Sequence, residues 1–81
     1  MNRVSANQDT NQDLRKLGAS IRARRLEMRL SQEALADMAG IDRSHMGKIE
    51  RGERNVTFLN IAKISQALEL APSQLLGQAG L

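Results

Sequence analysis

The chain has 81 residues, of which 41% are hydrophobic and 1% aromatic, and 12 basic against 9 acidic residues give it a formal net charge of +3. A chain of this length builds one small core, and the scarcity of aromatic and β-branched residues favours helices over strands. It has no cysteine and a single histidine, which excludes disulfides, thiolate zinc sites and thiol nucleophiles, and also a multi-histidine metal site within one chain. We therefore expect an all-α domain without a bound metal.

The N-terminal segment differs in composition from the rest of the chain. Residues 1–12 are polar and nearly free of large apolar side chains, so we predict a disordered tail followed by one domain at 13–81. No apolar stretch approaches the ~20 residues that cross a bilayer, and the N-terminus lacks the apolar centre of a signal peptide. These features favour a cytoplasmic protein that has no membrane partner.

Positive charge is concentrated at the start of the domain, between Leu14 and Leu30, where the only acidic residue is Glu27. Apolar residues of this segment recur at helical spacings and share one face, namely Leu14, Leu17, Ile21 and Met28. The pattern predicts an amphipathic first helix. Its basic residues suit a polyanion or a membrane surface, and they suit an ordinary solvated helix face equally well.

Two short helices are predicted next, at 32–39 and 43–51. Ser31 and Asp42 are suitable N-caps for them, and a glycine follows each one, where a left-handed residue can end a helix. The apolar residues that would join the two helices to each other and to the core are Leu35, Ala39, Ile41, Met46 and Ile49. Together these features predict a helix-turn-helix at 32–51, whose second helix is presented to the major groove of DNA.

Two more helices are expected after this pair. The fourth has an apolar stripe of Phe58, Ile61, Ile64, Ala67 and Leu68. A last short helix runs from Pro72 to Leu76, since proline suits the first position of a helix. The region at about 70–81 carries more leucine than a monomer would normally expose. We therefore predict that it forms a dimer interface through Leu75 or Leu76, with Leu70 in the core.

A resemblance to a known family rests on the run from Leu30 to Asn55, LSQEALADMAGIDRSHMGKIERGERN. It resembles the Cro/repressor-type helix-turn-helix family, also called the Xre family. The stretch 41–64 is most similar to the controller proteins of restriction-modification systems, which are small homodimeric regulators of their own gene and of the endonuclease gene. The resemblance implies a compact five-helix lambda-repressor-like domain. It also implies a sequence-specific transcriptional regulator that binds double-stranded DNA at an inverted-repeat operator as a homodimer.

The second helix of the pair carries the candidate reading residues. Arg43 and Ser44 stand at its start, where arginine can bond to guanine O6 and N7, although a phosphate contact or a solvated side chain is the alternative. Lys48, one turn further along, can reach a base or a phosphate. His45 either contacts DNA or is a surface histidine. Gly47 costs about 1 kcal/mol relative to alanine in a helix interior, which indicates that another group, here DNA, approaches the backbone closely, although a single glycine is often merely tolerated.

Further DNA contacts come from the family resemblance. It implies that Gln32, at the start of the first helix of the pair, binds a phosphate, to which the N-terminus of that helix adds its own positive field. Arg51, Arg54 and Asn55 would form a basic loop after the reading helix, and the position of Arg54 touches either a base or the backbone of DNA in the controllers. The alternative is an ordinary turn, in which Glu53 cancels one positive charge.

The resemblance assigns Arg25 and Glu50 a different role. The matching pair forms a salt bridge from the first helix to the reading helix and fixes its orientation, so we expect these two residues to be structural. Arg29 stands where the family commonly has glycine or asparagine at the end of the first helix.

The same sequence leaves one other class of function open and speaks against a second. An antitoxin or phage-type repressor would use the same motif to autoregulate its operon, and would in addition bind a partner protein. An enzyme is excluded, because Glu33 and Asp37 on a short exposed helix are solvated charges and no phosphate-binding glycine loop or nucleophile elbow is present. We therefore expect no cofactor and no small-molecule ligand.

Overall fold

The computed structural model describes residues 9–81, which form five α-helices and no strand. The helices are α1 (Asp13–Glu27), α2 (Gln32–Ala39), α3 (Arg43–Glu50), α4 (Phe58–Ala67) and α5 (Pro72–Gln78). The all-α, five-helix fold expected from the sequence is confirmed. None of these helices is long and apolar enough to cross a membrane.

Part of the segment predicted to be a tail is bonded to the start of α1. Residues 9–12, expected to belong to a disordered tail, form a turn whose Asp9 carboxylate accepts hydrogen bonds from the backbone amides of Asp13 and Leu14, at 2.9 and 2.8 Å. These amides open α1 and have no partner within the helix. Asp9 therefore stabilises the start of α1. The remainder of the predicted tail, residues 1–8, lies outside the described residues.

The predicted N-caps of the two central helices are confirmed. The Ser31 hydroxyl accepts a hydrogen bond from the amide of Ala34 at 2.9 Å, and the Asp42 carboxylate accepts from the amides of Ser44 and His45 at 3.1 and 3.3 Å. These bonds satisfy donors that a helix leaves free in its first turn. They fix the starting points of α2 and α3.

All five helices end in the same way. The residue just after each helix end has a positive φ, and the amide that follows it bonds back to a carbonyl in the last turn, as in a Schellman motif. Glycine occupies this position at Gly40, Gly52 and Gly80, but Arg29 and Glu69 take it with φ of 58° and 59°. The bonded pairs are Leu30 to Arg25, Ile41 to Ala36, Glu53 to Lys48, Leu70 to Ser65 and Leu81 to Leu76, at 2.9 to 3.1 Å. Because this ending lies at Gly80, α5 runs past Gly77 instead of stopping there.

The core is built from aliphatic side chains of all five helices. Its fully or nearly fully buried members are Leu17, Ile21, Leu35, Ala36, Ala39, Ile41, Met46, Ile49, Ile64, Leu68 and Leu75. Leu75 is 0% exposed, so the prediction that it could form a dimer interface is wrong. α5 packs against both α1 and α4, and the Leu75 carbonyl accepts a hydrogen bond from the Ser20 hydroxyl at 3.2 Å. Leu70 and Leu76 are both half-buried against this core.

The start of α4 also departs from the prediction. Phe58, expected in the buried stripe, is 70% exposed, and the neighbouring Leu59 is 69% exposed. The stripe is buried further along, at Ile64 and Leu68. The first turn of α4 therefore extends beyond the edge of the core and leaves two large apolar side chains on the surface.

Two glycines bring α1 against the end of α3. A Cβ built on Gly18 would lie 2.5 Å from the carbonyl oxygen of Ile49 and 2.7 Å from the carbonyl carbon of Glu50, closer than real Cβ atoms approach. At Gly52 a Cβ would lie 2.8 Å from the Cα of Arg15. The backbones of α1 and of the end of α3 are therefore in direct contact, which fixes the position of α3 in the fold.

Candidate nucleic-acid interface

The two faces of α3 have opposite character. Met46 and Ile49 are buried against the core, whereas Arg43 and Ser44 are exposed at the start of the helix and Arg51 is exposed just after its end. The inner face anchors the helix, so the outer face is held as a rigid surface. Arg43 and Arg51 thus stand at opposite ends of the helix, about two turns apart.

Arg43 forms an ion pair with Glu33 of α2. Its Nη1 lies 3.6 Å from the Glu33 Oε2, and the two side chains are 69% and 64% exposed. A pair this exposed is screened by water and salt and contributes little stability. Arg43 can therefore leave Glu33 at small cost when a stronger hydrogen-bond acceptor is presented to it.

Ser44 is engaged in the cap of α3. Its hydroxyl donates to the Asp42 carboxylate, as do the amides of Ser44 and His45. The Ser44 hydroxyl, followed by the His45 amide, holds the pKa of the Asp42 carboxyl below its ordinary value. Ser44 thus fixes the first turn of the helix, a role that the sequence did not indicate, and the residue is exposed at the surface.

Arg25 and Glu50 form a buried, two-pronged ion pair between α1 and α3. Arg25 Nε lies 2.8 Å from Glu50 Oε2, and Arg25 Nη2 lies 3.0 Å from Glu50 Oε1. The remaining Arg25 nitrogen, Nη1, donates to the carbonyl of Leu30 at 2.9 Å, in the segment that joins α1 to α2. A paired guanidinium and carboxylate of this geometry fix the relative orientation of the elements that carry them.

Gln32 joins this network from the start of α2. Its Nε2 donates to Glu50 Oε1 at 3.1 Å, so the amide expected to face a phosphate is partly engaged inside the protein. A side-chain amide has two hydrogens, and Gln32 is half-buried, so one donor is still available. The network therefore connects the first turn of α2 to the end of α3.

The absence of a side chain at Gly47 leaves room for the Gln32 side chain to lie across α3. A Cβ at this position would lie 3.1 Å from Gln32 Oε1 and 3.1 Å from Arg51 Nη1. The close approach that the sequence indicated is therefore made by two side chains of the chain itself. Gly47 is buried beneath them, which corrects its assignment as a residue that contacts an external ligand through its own backbone.

The loop after α3 carries a mixture of charges. Arg51 donates to both carboxylate oxygens of Glu53, at 2.8 and 3.3 Å. This hydrogen-bonded pairing raises the pKa of Arg51 and lowers that of Glu53. Arg54 and Asn55 follow with exposed side chains, and Lys48 is half-buried near the same end of α3. The cations of the interface are thus distributed along α3 and its following loop.

Comparisons with known proteins agree with this geometry. Residues 21–75 match the family model described as helix-turn-helix. The control protein C.SmaI of Serratia marcescens is 38% identical over 65 residues, which cover 80% of this chain and 77% of that protein. The crystal structure of the restriction-modification controller protein C.AhdI from Aeromonas hydrophila aligns with a TM-score of 0.76 at 48% identity and covers 78% of this chain and 96% of that chain.

A third similar protein has been solved in complex with DNA. The restriction-modification controller protein C.Esp1396I, as a tetramer in complex with its natural 35 base-pair operator, aligns with a TM-score of 0.73 at 30% identity and covers 85% of this chain and 96% of that chain. The likeness spans nearly the whole of the described structure and includes both helices of the central pair. The chain therefore belongs to the helix-turn-helix family, with restriction-modification controller proteins among its relatives.

Proposed function

We propose that the chain is a sequence-specific, DNA-binding transcriptional regulator of the restriction-modification controller type. The observation that carries the proposal is α3, whose outer face is exposed and basic while its inner end is fixed by the buried Arg25–Glu50 pair. The likeness to C.Esp1396I, solved in complex with its operator, supports the same conclusion. The protein would regulate its own gene and the endonuclease gene, and would act in the cytoplasm while bound to DNA.

The proposed contacts divide by chemistry. Arg43 at the start of α3 reads base edges in the major groove, and Ser44 and His45 lie beside it. Contacts to phosphates position the protein without reading sequence, and we assign them to Gln32, Lys48, Arg51, Arg54 and Asn55. Regulation follows from occupancy, because a bound protein either recruits or blocks polymerase according to where the operator lies.

The protein is proposed to bind as a homodimer. Phe58 and Leu59 expose two large apolar side chains on one turn of α4, which a second copy would cover. The region 70–81 remains part of the proposal, because α5 packs on α4 and Leu76 is partly exposed. A two-fold dimer places two α3 helices about one DNA turn apart, ~34 Å, and so recognises an inverted repeat.

Titration of the purified protein against its own upstream DNA tests the proposal. A scrambled duplex of the same length and composition is the control, and both are measured at several salt concentrations. We expect tighter binding to the upstream duplex and a weakening of both with salt. Arg43→Ala should reduce the discrimination by about 1 to 3 kcal/mol, whereas Gln32→Ala should weaken both duplexes similarly. Equal affinity of the wild type for the two duplexes would contradict a specific regulator.

A further inference from the structure

A groove of about 550 Å³ lies between α1 and the end of α3, and of the residues assigned DNA contacts above only Arg51 lines it. Ala19, Ala23 and Leu26 line it, and so do Arg15 and Arg22. The short alanine side chains allow another molecule to approach the α1 backbone closely. The groove is therefore open, shallow and basic along one side.

Arg15 and Arg22 differ from the other cations of α1. Lys16 lies 4.0 Å from Asp13, Arg24 lies 3.5 Å from Glu27, and Arg25 is buried against Glu50. Among residues 9–81, no carboxylate lies within 4.0 Å of the Arg15 or Arg22 guanidinium. Both side chains are exposed, so two uncompensated charges stand on one face of α1, two helical turns apart.

The acidic residues in the same groove do not oppose these charges. Glu50 is neutralised by its buried pair with Arg25, and Glu53 is held by Arg51. The groove therefore presents a net positive potential, which favours a polyanionic occupant.

The groove is continuous with the proposed DNA interface. Arg51, at the end of α3, lines it, and Gly52 packs directly on the Arg15 backbone. Arg15 thus stands beside the loop that carries Arg54 and Asn55. Seven residues of helix span about 10.5 Å, over which duplex DNA presents several phosphates.

We propose that Arg15 and Arg22 bind the phosphate backbone of the duplex outside the half-site that α3 reads. The inference rests on the proposed function and extends its interface onto the outer face of α1. These contacts add affinity and salt dependence for every sequence and no discrimination, because phosphates carry no direct sequence information.

The test uses Arg15→Gln and Arg22→Gln, with Lys63→Gln as the matched control. Lys63 is exposed on α4, beside a different groove, and its substitution removes the same charge. Each variant is titrated against an upstream duplex that ends at the half-sites and against one extended by about one helical turn, ~10 base pairs, on each side. Thermal unfolding verifies that the folds are intact.

On the extended duplex, each arginine variant should bind about threefold to tenfold more weakly than the control, the size of one typical net hydrogen bond at an exposed site. The slope of log affinity against log salt should fall by about 0.9 for each lost phosphate contact. On the short duplex the variants and the control should bind with equal affinity. The preference for the upstream duplex over scrambled DNA should be unchanged in all of them.

Two outcomes would overturn the inference alone, while the wild type still prefers its upstream DNA. One is an arginine variant that matches the Lys63 control on the extended duplex in both affinity and salt slope. The other is loss of transcriptional activation in a purified system without any change in DNA affinity, which would assign the groove to an acidic protein partner. A wild type that binds upstream and scrambled DNA equally would instead contradict the proposed function itself.

Discussion

At the scale of single residues, the glycines of this chain have different roles that the sequence does not distinguish. Gly18 is enclosed by the backbone of Ile49 and Glu50, whereas a Cβ on Gly77 would meet nothing within 4 Å. Both lie inside helices and neither has a positive φ. Substitution by alanine therefore gives the helix a better residue in both cases, and only at Gly18 does it force two backbones apart.

We expect Gly18→Ala to lower the free energy of unfolding by about 3 kcal/mol, the upper part of the range for overpacking, because the obstructing atoms belong to backbone. Gly77→Ala should raise it by up to about 1 kcal/mol, because alanine reduces the entropy of the unfolded chain. Urea unfolding of the two variants measures both values. Similar stability of Gly18→Ala and Gly77→Ala would show that α1 can move away from α3 without cost.

The sequence predicts the roles of some residues correctly and of others wrongly, and the difference has a physical reason. The caps Ser31 and Asp42 are local interactions, completed within one turn of their own helix, so the sequence contains all the information they need. Leu75 and Phe58 were misplaced because helical periodicity assigns a residue to a face but does not say where along that face the core ends. The close packing at Gly18 joins segments far apart in the chain, and no local pattern indicates it.

At the scale of helices, one buried ion pair joins α3 to α1 and contributes to its orientation. Removal of the Glu50 carboxylate would leave the Arg25 guanidinium in the interior without a countercharge. Such a change typically costs about 3 to 5 kcal/mol, although replacing both partners with apolar residues can be neutral or stabilising. Substitutions in this pair can therefore separate its effect on the stability of the fold from its effect on the orientation of α3.

We expect Glu50→Ala to lower the free energy of unfolding by about 3 to 5 kcal/mol. The double variant Arg25→Met with Glu50→Leu should recover most of that stability. It should still bind operator DNA more weakly than the wild type, because Gln32 loses its acceptor and the end of α3 its fixed angle. Chemical unfolding and DNA titration of the same samples make the comparison, and full DNA affinity in the double variant would mean that apolar packing alone orients α3.

The ends of α1 and α4 carry strain that the other helix ends avoid. Arg29 and Glu69 hold the left-handed conformation with a Cβ present, which costs roughly 1 to 2 kcal/mol relative to the right-handed region. Substitution by glycine removes that cost. About 0.5 to 1 kcal/mol of this gain is cancelled, because glycine loses more backbone entropy on folding. The family's preference for glycine or asparagine at the position of Arg29 follows from the same geometry.

Arg29→Gly and Glu69→Gly should therefore each raise the melting temperature by a few degrees, corresponding to about 1 kcal/mol or less. Lys63→Gly, in the exposed middle of α4, should lower it, because that position has ordinary helical geometry. Calorimetry of the three variants measures the sign of each change in melting temperature directly. A decrease in all three would mean that the side chains of Arg29 and Glu69 make compensating contacts.

At the scale of the whole molecule, the exposed apolar pair on α4 is the surface through which we propose that copies associate. Phe58 and Leu59 contribute nothing to the core, so their replacement by serine should leave the monomer folded. Leu76, in contrast, packs partly against the core. Substitutions in the α4 pair and at Leu76 therefore show how much each part of the proposed dimer surface contributes to dimerisation.

We expect the double variant Phe58→Ser with Leu59→Ser to sediment as a monomer. It should unfold at the same temperature as the dissociated wild-type monomer. Loss of the linked second half-site should reduce operator affinity by about a hundredfold or more. Leu76→Ser should weaken dimerisation less and lower monomer stability. A serine double variant that still sediments as a dimer would move the interface to the 70–81 region alone.

The shared ending of the five helices has a consequence for how the chain reaches its fold. Each ending is made by bonds between residues at most five positions apart, and in three of the helices the side chain of the N-cap residue accepts a hydrogen bond at the start. The limits of each helix are thus encoded locally and can form before distant segments meet. Helical chains dominated by such short-range contacts cross their folding barrier in microseconds to milliseconds. A newly made chain would accordingly be ready to bind its target almost as soon as its last helix is free to pack.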